Sequence, residues 1–207
     1  ATADKFLSEG AKVILTASTQ ESADQAVAKL REKYPNSKIM GISPNLANYQ
    51  EVQDAFVIAT AQFGCVDVLV NNAKPLTRGL DACTYEEFNY ALRVGVAAPF
   101  LLTQLFLPYF GRGASVVNIS SSRDRMRQPQ SESYTAAKGG IHALTHALAV
   151  SLSGRVRVNS ISPGWIDTNY TVYEGPDAVQ QPVGRVGNPL DIANMVLYLC
   201  SNAAGFI

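Results

Sequence analysis

Residues 114–144, "ASVVNISSSRDRMRQPQSESYTAAKGGIHAL", place a short apolar run before a polar loop and a segment with helical periodicity. The run "ASVVNI" (114–119) is apolar at successive positions rather than at alternate ones, which is typical of a strand buried on both faces. Such a strand belongs to a parallel sheet that is covered by helices on each side. This stretch therefore predicts a strand–loop–helix unit of an α/β fold.

The rest of the chain repeats this alternation of strand and helix. Right-handed crossovers between parallel strands turn the repeat into a Rossmann-like, doubly wound α/β sheet with helices on both faces. The length of 207 residues fits one domain, residues 1–207, with a sizeable core. The predicted strands cover residues 12–17, 37–42, 66–70, 114–119 and 155–161, and the predicted helices cover residues 21–34, 48–64, 85–110, 131–153 and 189–202.

Composition excludes several classes of protein. Lys and Arg total 17, as do Asp and Glu, so nothing indicates binding to nucleic acid or to an acidic membrane. No apolar run approaches the roughly 18 residues of a membrane helix, and no signal peptide is recognisable. Cys65, Cys83 and Cys200 are odd in number and widely spaced, which argues against disulfides and structural zinc. We therefore expect a cytoplasmic protein.

Tyr134 and Lys138 stand four residues apart in the helical segment, so their side chains lie one turn apart on the same face. Free tyrosine has a pKa of about 10 and is a poor base near neutrality. A neighbouring ammonium favours the phenolate and lowers that pKa, which would make Tyr134 a general acid or base. Ser121 follows a predicted strand, where its hydroxyl could hold a substrate oxygen. These three residues are the candidate catalytic group.

Small and polar residues follow each predicted strand. In doubly wound folds ligands bind outside the carboxyl ends of the strands, so these residues predict a binding site along one edge of the sheet. They are Ala17 and Ser18, Asn45, "NNAK" (71–74), "SSSRDR" (120–125) and "SPGWIDT" (162–168).

Taken together, these motifs resemble the short-chain dehydrogenase/reductase family. The resemblance extends along nearly the whole chain, from "SEGAKVIL" and "VDVLVNNA" through "SVVNISS" and "YTAAKGGI" to "RVRVNSISPGWIDT" and "GRVGNPLDIANMVLYLCS". A Tyr-x-x-x-Lys pair alone often arises by chance, whereas the combination is a specific signal. The members it most resembles are 3-oxoacyl-carrier-protein reductases and related alcohol, sugar and steroid dehydrogenases.

The resemblance implies an enzyme that interconverts a secondary alcohol and a ketone by hydride transfer with a nicotinamide cofactor. It makes Tyr134 the general acid/base. It implies that Lys138 lowers the tyrosine pKa and holds the nicotinamide ribose, and that Ser121 polarises the substrate oxygen. The small-molecule alcohol or ketone itself is not identified, because specificity would reside in residues 120–131 and 168–188.

The resemblance also places cofactor contacts. NAD enzymes of this type carry an acidic residue at the end of the first visible strand, where it binds the ribose hydroxyls. Ser18 stands there without a charge that would repel a 2′-phosphate, although no Arg is present to attract one. We therefore expect NADP in preference to NAD. The other implied contacts are Asn45 in place of an Asp near the adenine, Asn71 and Ala73, Tyr134 and Lys138, and Pro163, Gly164, Ile166 and Thr168.

Two residues depart from the family pattern inside the site. Gly95 replaces an Asn of the long helix that holds a water for proton relay, and Lys74 replaces a Gly beside the cofactor. The ammonium of Lys74 would either clash with the cofactor or approach an anionic group of cofactor or substrate. These departures keep open a catalytically weak or inactive cofactor-binding protein of the same fold. An epimerase or lyase that reuses Tyr134 is a further alternative.

The first strand of the family, with its Gly-rich turn, and its last strand have no counterpart in this sequence. Residues 1–10 resemble the second half of the first helix, closed by Gly10. The absent strand would lie between residues 12–17 and 66–70. We therefore expect two half-sheets with unpaired edges, and a chain truncated at both ends.

Two further clusters have competing interpretations. His142 and His146 have ligand-like spacing, but no third ligand is evident, so we expect a structural or interface role and no metal. The charged residues near Ser121 would either bind an acidic substrate or form a solvated or intersubunit cluster, and we favour the second interpretation. This cluster comprises Arg123, Asp124, Arg125 and Arg127.

Oligomerisation is the last expectation from the sequence. Charged residues make up 16% of the chain, below the roughly 25% of typical soluble domains, which indicates that surface is hidden between subunits. The resemblance implies a homo-oligomer, a dimer or a homotetramer. Its contacts would form through the helix at 85–110 and the helix that carries Tyr134.

Overall fold

The computed structural model describes residues 1–126, 128–169 and 176–207, in which strands and helices alternate as the sequence predicts. The strands are β1 (Val13–Thr16), β2 (Ile39–Ile42), β3 (Val66–Asn71), β4 (Phe110–Ile119) and β5 (Arg157–Ile161). The helices are α1 (Thr2–Ser8), α2 (Gln20–Lys33), α3 (Tyr49–Phe63), α4 (Tyr85–Leu92), α5 (Ala98–Phe106), α6 (Glu132–Ser151), α7 (Pro176–Val179) and α8 (Pro189–Cys200).

The strands pair in parallel and form two sheets. β4 lies between β3 and β5, and its Val116 aligns with Leu69 on one side and Val158 on the other. β1 pairs with β2, with Val13 opposite Ile39. Within the described ranges no strand pairing joins β1 to β3. This arrangement agrees with the two half-sheets expected from the sequence.

Helices cover both faces of the three-stranded sheet. Successive residues of a strand point to opposite faces, so neighbours in β4 contact different helices. Val116 packs with Leu148 of α6 and with Leu152 just beyond it, whereas the next residue, Val117, packs with Val196 of α8. Both valines are fully buried. The prediction of strands buried on both faces is confirmed in β4.

Helix α1 contacts the cores of both sheets. Leu7 packs with α2 and with Ile39, in the cluster that covers the β1–β2 sheet. The preceding residue, Phe6, packs against the cluster around Val117 and α8 on the other sheet. Helix α1 therefore contributes side chains to the cores that cover both sheets.

Residues Tyr85–Tyr109 form a continuous helical segment of 25 residues, in which a π-helical turn, Arg93–Ala97, joins α4 to α5. An 18-residue window of it has a mean hydropathy of 1.5, so by length and composition alone it could cross a membrane. The sequence led us to expect no apolar run that reaches this length, and this segment is the exception by length and composition. One such helix is weak evidence for a membrane, and the segment packs against α3, α6 and the sheet.

Candidate active site

The first turn of α6 is anchored to the loop that follows β3. Ser133 is fully buried, and its Oγ accepts a hydrogen bond from Arg78 N (2.8 Å) and donates one to Leu76 O (2.9 Å). The carboxylate of Glu132 accepts a hydrogen bond from the backbone of the same loop. These bonds fix the backbone that presents Tyr134, the next residue of α6.

Lys138 is buried beside Tyr134, as the four-residue spacing predicts. Its Nζ donates to Ile119 O at the end of β4 (2.5 Å) and lies 5.6 Å from the centroid of the Tyr134 ring. Burial lowers the pKa of Lys138, and repulsion from the Lys74 ammonium lowers it further, to about 8. Among the described residues the ammonium makes one hydrogen bond, so two of its three N–H donors are available to a ligand.

Ser121 lies just past the end of β4 and is 8% exposed. Its Oγ accepts a hydrogen bond from the backbone of the 3₁₀ turn Ser122–Asp124. The first N–H of that turn donates to Pro163 O (2.8 Å), and Ser120 Oγ donates to Lys138 O (2.9 Å). The loop after β4 is thus tied both to the loop after β5 and to α6.

Asn71 is oriented by a buried chain of amides and hydroxyls. Its Nδ2 donates to Asn118 Oδ1 (2.8 Å), and Asn118 Nδ2 donates to Thr145 Oγ1 of α6 (2.9 Å). Asn118 is completely buried. The sequence reasoning missed Asn118 and Thr145 as supports of the site. A lone Asn in the apolar strand "VVNI" is the signal that could have indicated the first of them.

The loop after β5 runs beside residues from the following segment. Ile166 forms a parallel bridge with Gly187. A Cβ on Gly164 would lie 2.5 Å from Gln181 Oε1, so Gly164 leaves room for that close approach. Along this loop, Pro163 and Ile166 are half-buried, and Gly164 and Thr168 are exposed. Residues 170–175, which belong to the expected specificity region, lie outside the described residues.

The remaining candidate cofactor residues lie on exposed loops. Ser18 follows β1, and Ala73 follows β3. Asn45 follows β2, and its Oδ1 accepts a hydrogen bond from Ala47 N (3.0 Å), while its own N–H donates to Glu51 Oε2 (2.7 Å). Asn45 therefore stabilises its own turn with the amide that the resemblance places near the adenine.

A cavity of about 580 Å³ opens beside Asn45, between the turn after β2 and the long helical segment. Tyr49, Tyr90 and Arg93 are among its lining residues, and none of the three candidate catalytic residues is. This cavity is therefore separate from the candidate catalytic group.

Gly95 lies in the π-helical turn where that turn packs against α6. A Cβ there would lie 2.7 Å from Ala137 Cβ and 3.4 Å from Pro75. An Asn, the residue usual in the family, would not fit at position 95 without a shift of α6. Lys74 is exposed, and its ammonium has no ion pair within the described part of the chain.

The charged cluster contacts the histidine pair of α6 through Asp124 and Arg125, which both lie beside His142. The rings of His142 and His146 are 4.8 Å apart. In residues 1–126, 128–169 and 176–207 no group of three potential ligands that could hold a metal is found. Asp124 is almost completely buried in this cluster, whereas Arg127 lies outside the described residues.

The sequence is similar to those of known reductases and dehydrogenases. A sequence family described as enoyl-(acyl carrier protein) reductase matches residues 1–207. A 3α-hydroxysteroid dehydrogenase from Mediterraneibacter gnavus is 36% identical, covering 98% of this chain and 85% of its own. A 3-oxoacyl-acyl-carrier-protein reductase from Aquifex aeolicus is 33% identical, covering 100% of this chain and 87% of its own.

Solved structures show the same likeness. An apo SCOR enzyme from Clostridium thermocellum is 37% identical and superposes with a TM-score of 0.87, covering 97% of this chain and 80% of that chain. A blue fluorescent protein from a metagenomic library, in complex with NADPH, is 27% identical with a TM-score of 0.89, covering 100% and 87%.

The chain belongs to the short-chain dehydrogenase/reductase family. It is an oxidoreductase that uses NAD or NADP, and the fold expected from the sequence is confirmed.

Proposed function

We propose that this enzyme interconverts a secondary alcohol and a ketone by hydride transfer, with Ser121, Tyr134 and Lys138 as its catalytic residues. The observation that carries the proposal is the buried Lys138 ammonium, held by Ile119 O and lying 5.6 Å from the Tyr134 ring. A buried cation at this place can stabilise the negative charge that forms when Tyr134 gives up its proton to a substrate oxygen.

The residues of the strand-end edge fit a nicotinamide cofactor. Lys138 has N–H donors available for ribose hydroxyls, and Asn71 is held at the end of β3 by its bond to Asn118. Ser18 offers no carboxylate to repel a 2′-phosphate, which supports NADP over NAD. The cofactor, when bound, supplies or accepts the hydride.

In ketone reduction, Ser121 and Tyr134 act on the substrate oxygen. Ser121 Oγ already accepts a hydrogen bond from Arg123 N (3.2 Å), so its own proton is free to be donated to the carbonyl oxygen. Tyr134 then transfers its phenolic proton to the same oxygen. The Lys138 ammonium stabilises the phenolate that remains, because opposite charges attract strongly where water is excluded.

The setting of the enzyme follows from the same resemblance. We propose a cytoplasmic homo-oligomer, a dimer or a tetramer, that acts on a small-molecule alcohol or ketone. The apolar side chains that the long helical segment leaves exposed support subunit contacts there, Phe100 at 46% exposure among them.

A second candidate is a cofactor-binding protein with weak catalysis. Gly95 favours it, because the close contact with Ala137 leaves no space for a side chain that could hold a relay water. Under this alternative the cofactor still binds, but proton exchange with solvent limits turnover.

The proposal is tested by oxidation of NADPH and NADH against a panel of ketones, sugars and acyl thioesters. We expect turnover that falls by about 100-fold or more in Tyr134→Phe, because general acid catalysis typically contributes a factor of this size. Tyr85→Phe, at a position 76% exposed on α4, is the matched control and should retain the wild-type rate.

Unchanged turnover in Tyr134→Phe would contradict the proposed mechanism. Tight NADPH binding without turnover of any compound in the panel would instead support the weakly catalytic alternative.

A further inference from the structure

Asp124 is a buried carboxylate within the charged cluster that follows Ser121. Its side chain is 3% exposed. Its Oδ2 accepts a hydrogen bond from Ser162 Oγ (2.9 Å) and a longer one from Ser120 Oγ (3.4 Å). One carboxylate oxygen therefore joins the loop after β4 to the loop after β5. The sequence favours a solvated or intersubunit cluster here, and the buried side chain of Asp124 does not fit a solvated one.

The same oxygen faces a histidine of α6. His142 Nδ1 lies 3.3 Å from Asp124 Oδ2, and His142 Nε2 lies 3.2 Å from Arg125 Nη2. A guanidinium can only donate hydrogen bonds, so Nε2 is the acceptor and the neutral ring carries its proton on Nδ1, towards Asp124. Nδ1 is buried and has no well-aligned hydrogen bond among the described residues, so its contact with Asp124 is electrostatic.

The position of His142 links this carboxylate to the catalytic helix. Tyr134, Lys138 and His142 follow one another at four-residue intervals, so they lie along the same face of α6. Ser120 has one hydroxyl proton, which it shares between Asp124 (3.4 Å) and the nearer backbone oxygen of Lys138 (2.9 Å). Asp124 therefore contacts all three elements that meet at the site.

We propose that Asp124 is a positioning residue. It holds the loops that contain Ser121 and Pro163 in place beside the face of α6 that carries Tyr134 and Lys138. Ser120 immediately precedes Ser121, and Ser162 immediately precedes Pro163, so each hydrogen bond to Asp124 restrains the neighbour of a candidate site residue.

The energetics favour such a role. A buried carboxylate is costly unless hydrogen bonds and charges compensate it. Asp124 meets this requirement with the hydroxyl of Ser162, the imidazole of His142 and a share of the Ser120 proton, which is also donated to Lys138 O. Loss of the carboxylate would leave Ser162 without this acceptor and would loosen both loops together, although the backbone bond from Ser122 N to Pro163 O remains.

The first test measures hydrogen exchange of the backbone in Asp124→Ala and Asp124→Asn. We expect exchange at residues 120–126 and 161–165 to accelerate together by about 10-fold in Asp124→Ala, because local opening becomes easier when shared contacts are lost. Asp124→Asn, which retains the size of the side chain and one acceptor oxygen, should show a smaller effect. Asp24→Ala, an exposed carboxylate of α2 bonded to Gln20, is the control.

The pattern of exchange decides between a positioning role and a local one. Acceleration confined to residues 120–126, with 161–165 unchanged in both variants, would overturn the proposal. This measurement needs neither substrate nor turnover, so it is independent of the proposed reaction.

The second test rests on the proposed function and uses the ketone that wild-type enzyme reduces fastest with NADPH. We expect kcat to fall by about 10- to 100-fold in Asp124→Ala with little change in KM, since displacement of a catalytic group by about 1 Å costs up to that much. His142→Asn keeps an N–H donor near the Nδ1 position and should retain more activity than His142→Leu.

The combination of tests separates the two proposals. Equal kcat values for wild type and Asp124→Ala would overturn the positioning role. If wild-type enzyme reduces no ketone while the two loops still accelerate together in exchange, the proposed reaction fails and the positioning role stands.

Discussion

Lys138 is an ammonium held largely out of water, with one backbone oxygen as its hydrogen-bond acceptor among the described residues. Burial of a charge without full compensation costs stability, and the cost can be avoided by loss of the proton. The lowered pKa of about 8 is the expression of this cost. A ligand with hydroxyl or anionic groups beside Lys138 would reduce the cost, so binding and charge at this residue are coupled.

The pH dependence of stability tests the state of Lys138. Between pH of about 8 and 10.5, the unfolded chain holds a proton on this lysine that the folded protein has lost. Stability of the ligand-free protein should therefore rise across this range, with a slope of up to about 1.4 kcal/mol per pH unit from this group. In Lys138→Met this contribution should vanish, as measured by urea unfolding at several pH values.

Lys74→Met is the matched control for this prediction. It removes the second cause of the pKa shift while burial, the larger cause, remains, so the rise should begin at a higher pH but persist. Identical pH profiles for wild type and Lys138→Met would contradict the assignment of a lowered pKa to Lys138.

For single residues, the sequence predicts some contacts well and others not at all. The proximity of Tyr134 and Lys138 follows from helical spacing alone. The burial of Asp124 depends on Ser162 and His142, which belong to elements that the chain reaches only later. The absence of a side chain at position 95 is explained by the close approach of Ala137, which belongs to another helix. Contacts of this kind require the assembled fold.

At the scale of elements, the contact between the π-helical turn Arg93–Ala97 and α6 is unusually close. Gly95 faces Ala137, and Gly140 faces Val96, where a Cβ on Gly140 would lie 2.8 Å from Val96 Cγ2. Small residues on both sides let the two backbones approach, and the close packing sets the position of α6. Since Ala137 directly precedes Lys138, this contact also determines how deeply the side chain of Lys138 is buried.

Gly95→Ala tests this packing. The added methyl would lie 2.7 Å from Ala137 Cβ, so we expect a loss of about 1–3 kcal/mol in unfolding free energy, as for other overpacked cores. Gly139→Ala in α6 is the matched control, because nothing lies within 4 Å of its added Cβ. It should stabilise the protein by roughly 0.5–1 kcal/mol through helix propensity.

Chemical denaturation of both variants measures these effects. A stabilised Gly95→Ala protein would contradict the tight contact. If α6 shifts to accommodate the methyl group, turnover should fall as well, because Lys138 would move with the helix.

The sequence predicts the elements better than their internal detail. The helix expected at 85–110 is found at Tyr85–Tyr109, yet its π-helical turn was not predicted, because no local pattern distinguishes residues that pack against a second helix. Strand β4 begins at Phe110, four residues before the predicted start, since its pairing with β3 extends the strand beyond the apolar run.

At the scale of the whole molecule, exposed apolar side chains of the long helical segment predict subunit contacts. Phe100→Glu should shift the protein towards smaller species in sedimentation velocity, because a charge in an apolar interface is costly. Val57→Glu, at a position 57% exposed on α3, is the control and should leave the assembly unchanged. An unaltered sedimentation profile for Phe100→Glu would exclude this surface as an interface.

The division into two sheets was expected from the sequence, whereas the way in which they are joined was not. Alternating strands and helices determine parallel pairing, and in the described ranges β1 pairs with β2 while β3, β4 and β5 pair with one another. Nothing in the short segment Thr2–Ser8 predicts that its side chains enter both cores, because the residues that they contact come later along the chain.

The adjacent positions of Phe6 and Leu7 in two separate cores have a consequence for folding. Within the described ranges no strand pairing joins the two sheets, so side chains of the helices, these two among them, connect their cores. With both in place, disruption of one core withdraws support from the other, which favours a single concerted unfolding transition. Replacement of both residues by Ala would weaken the coupling between the two cores, which favours local unfolding of one core without the other.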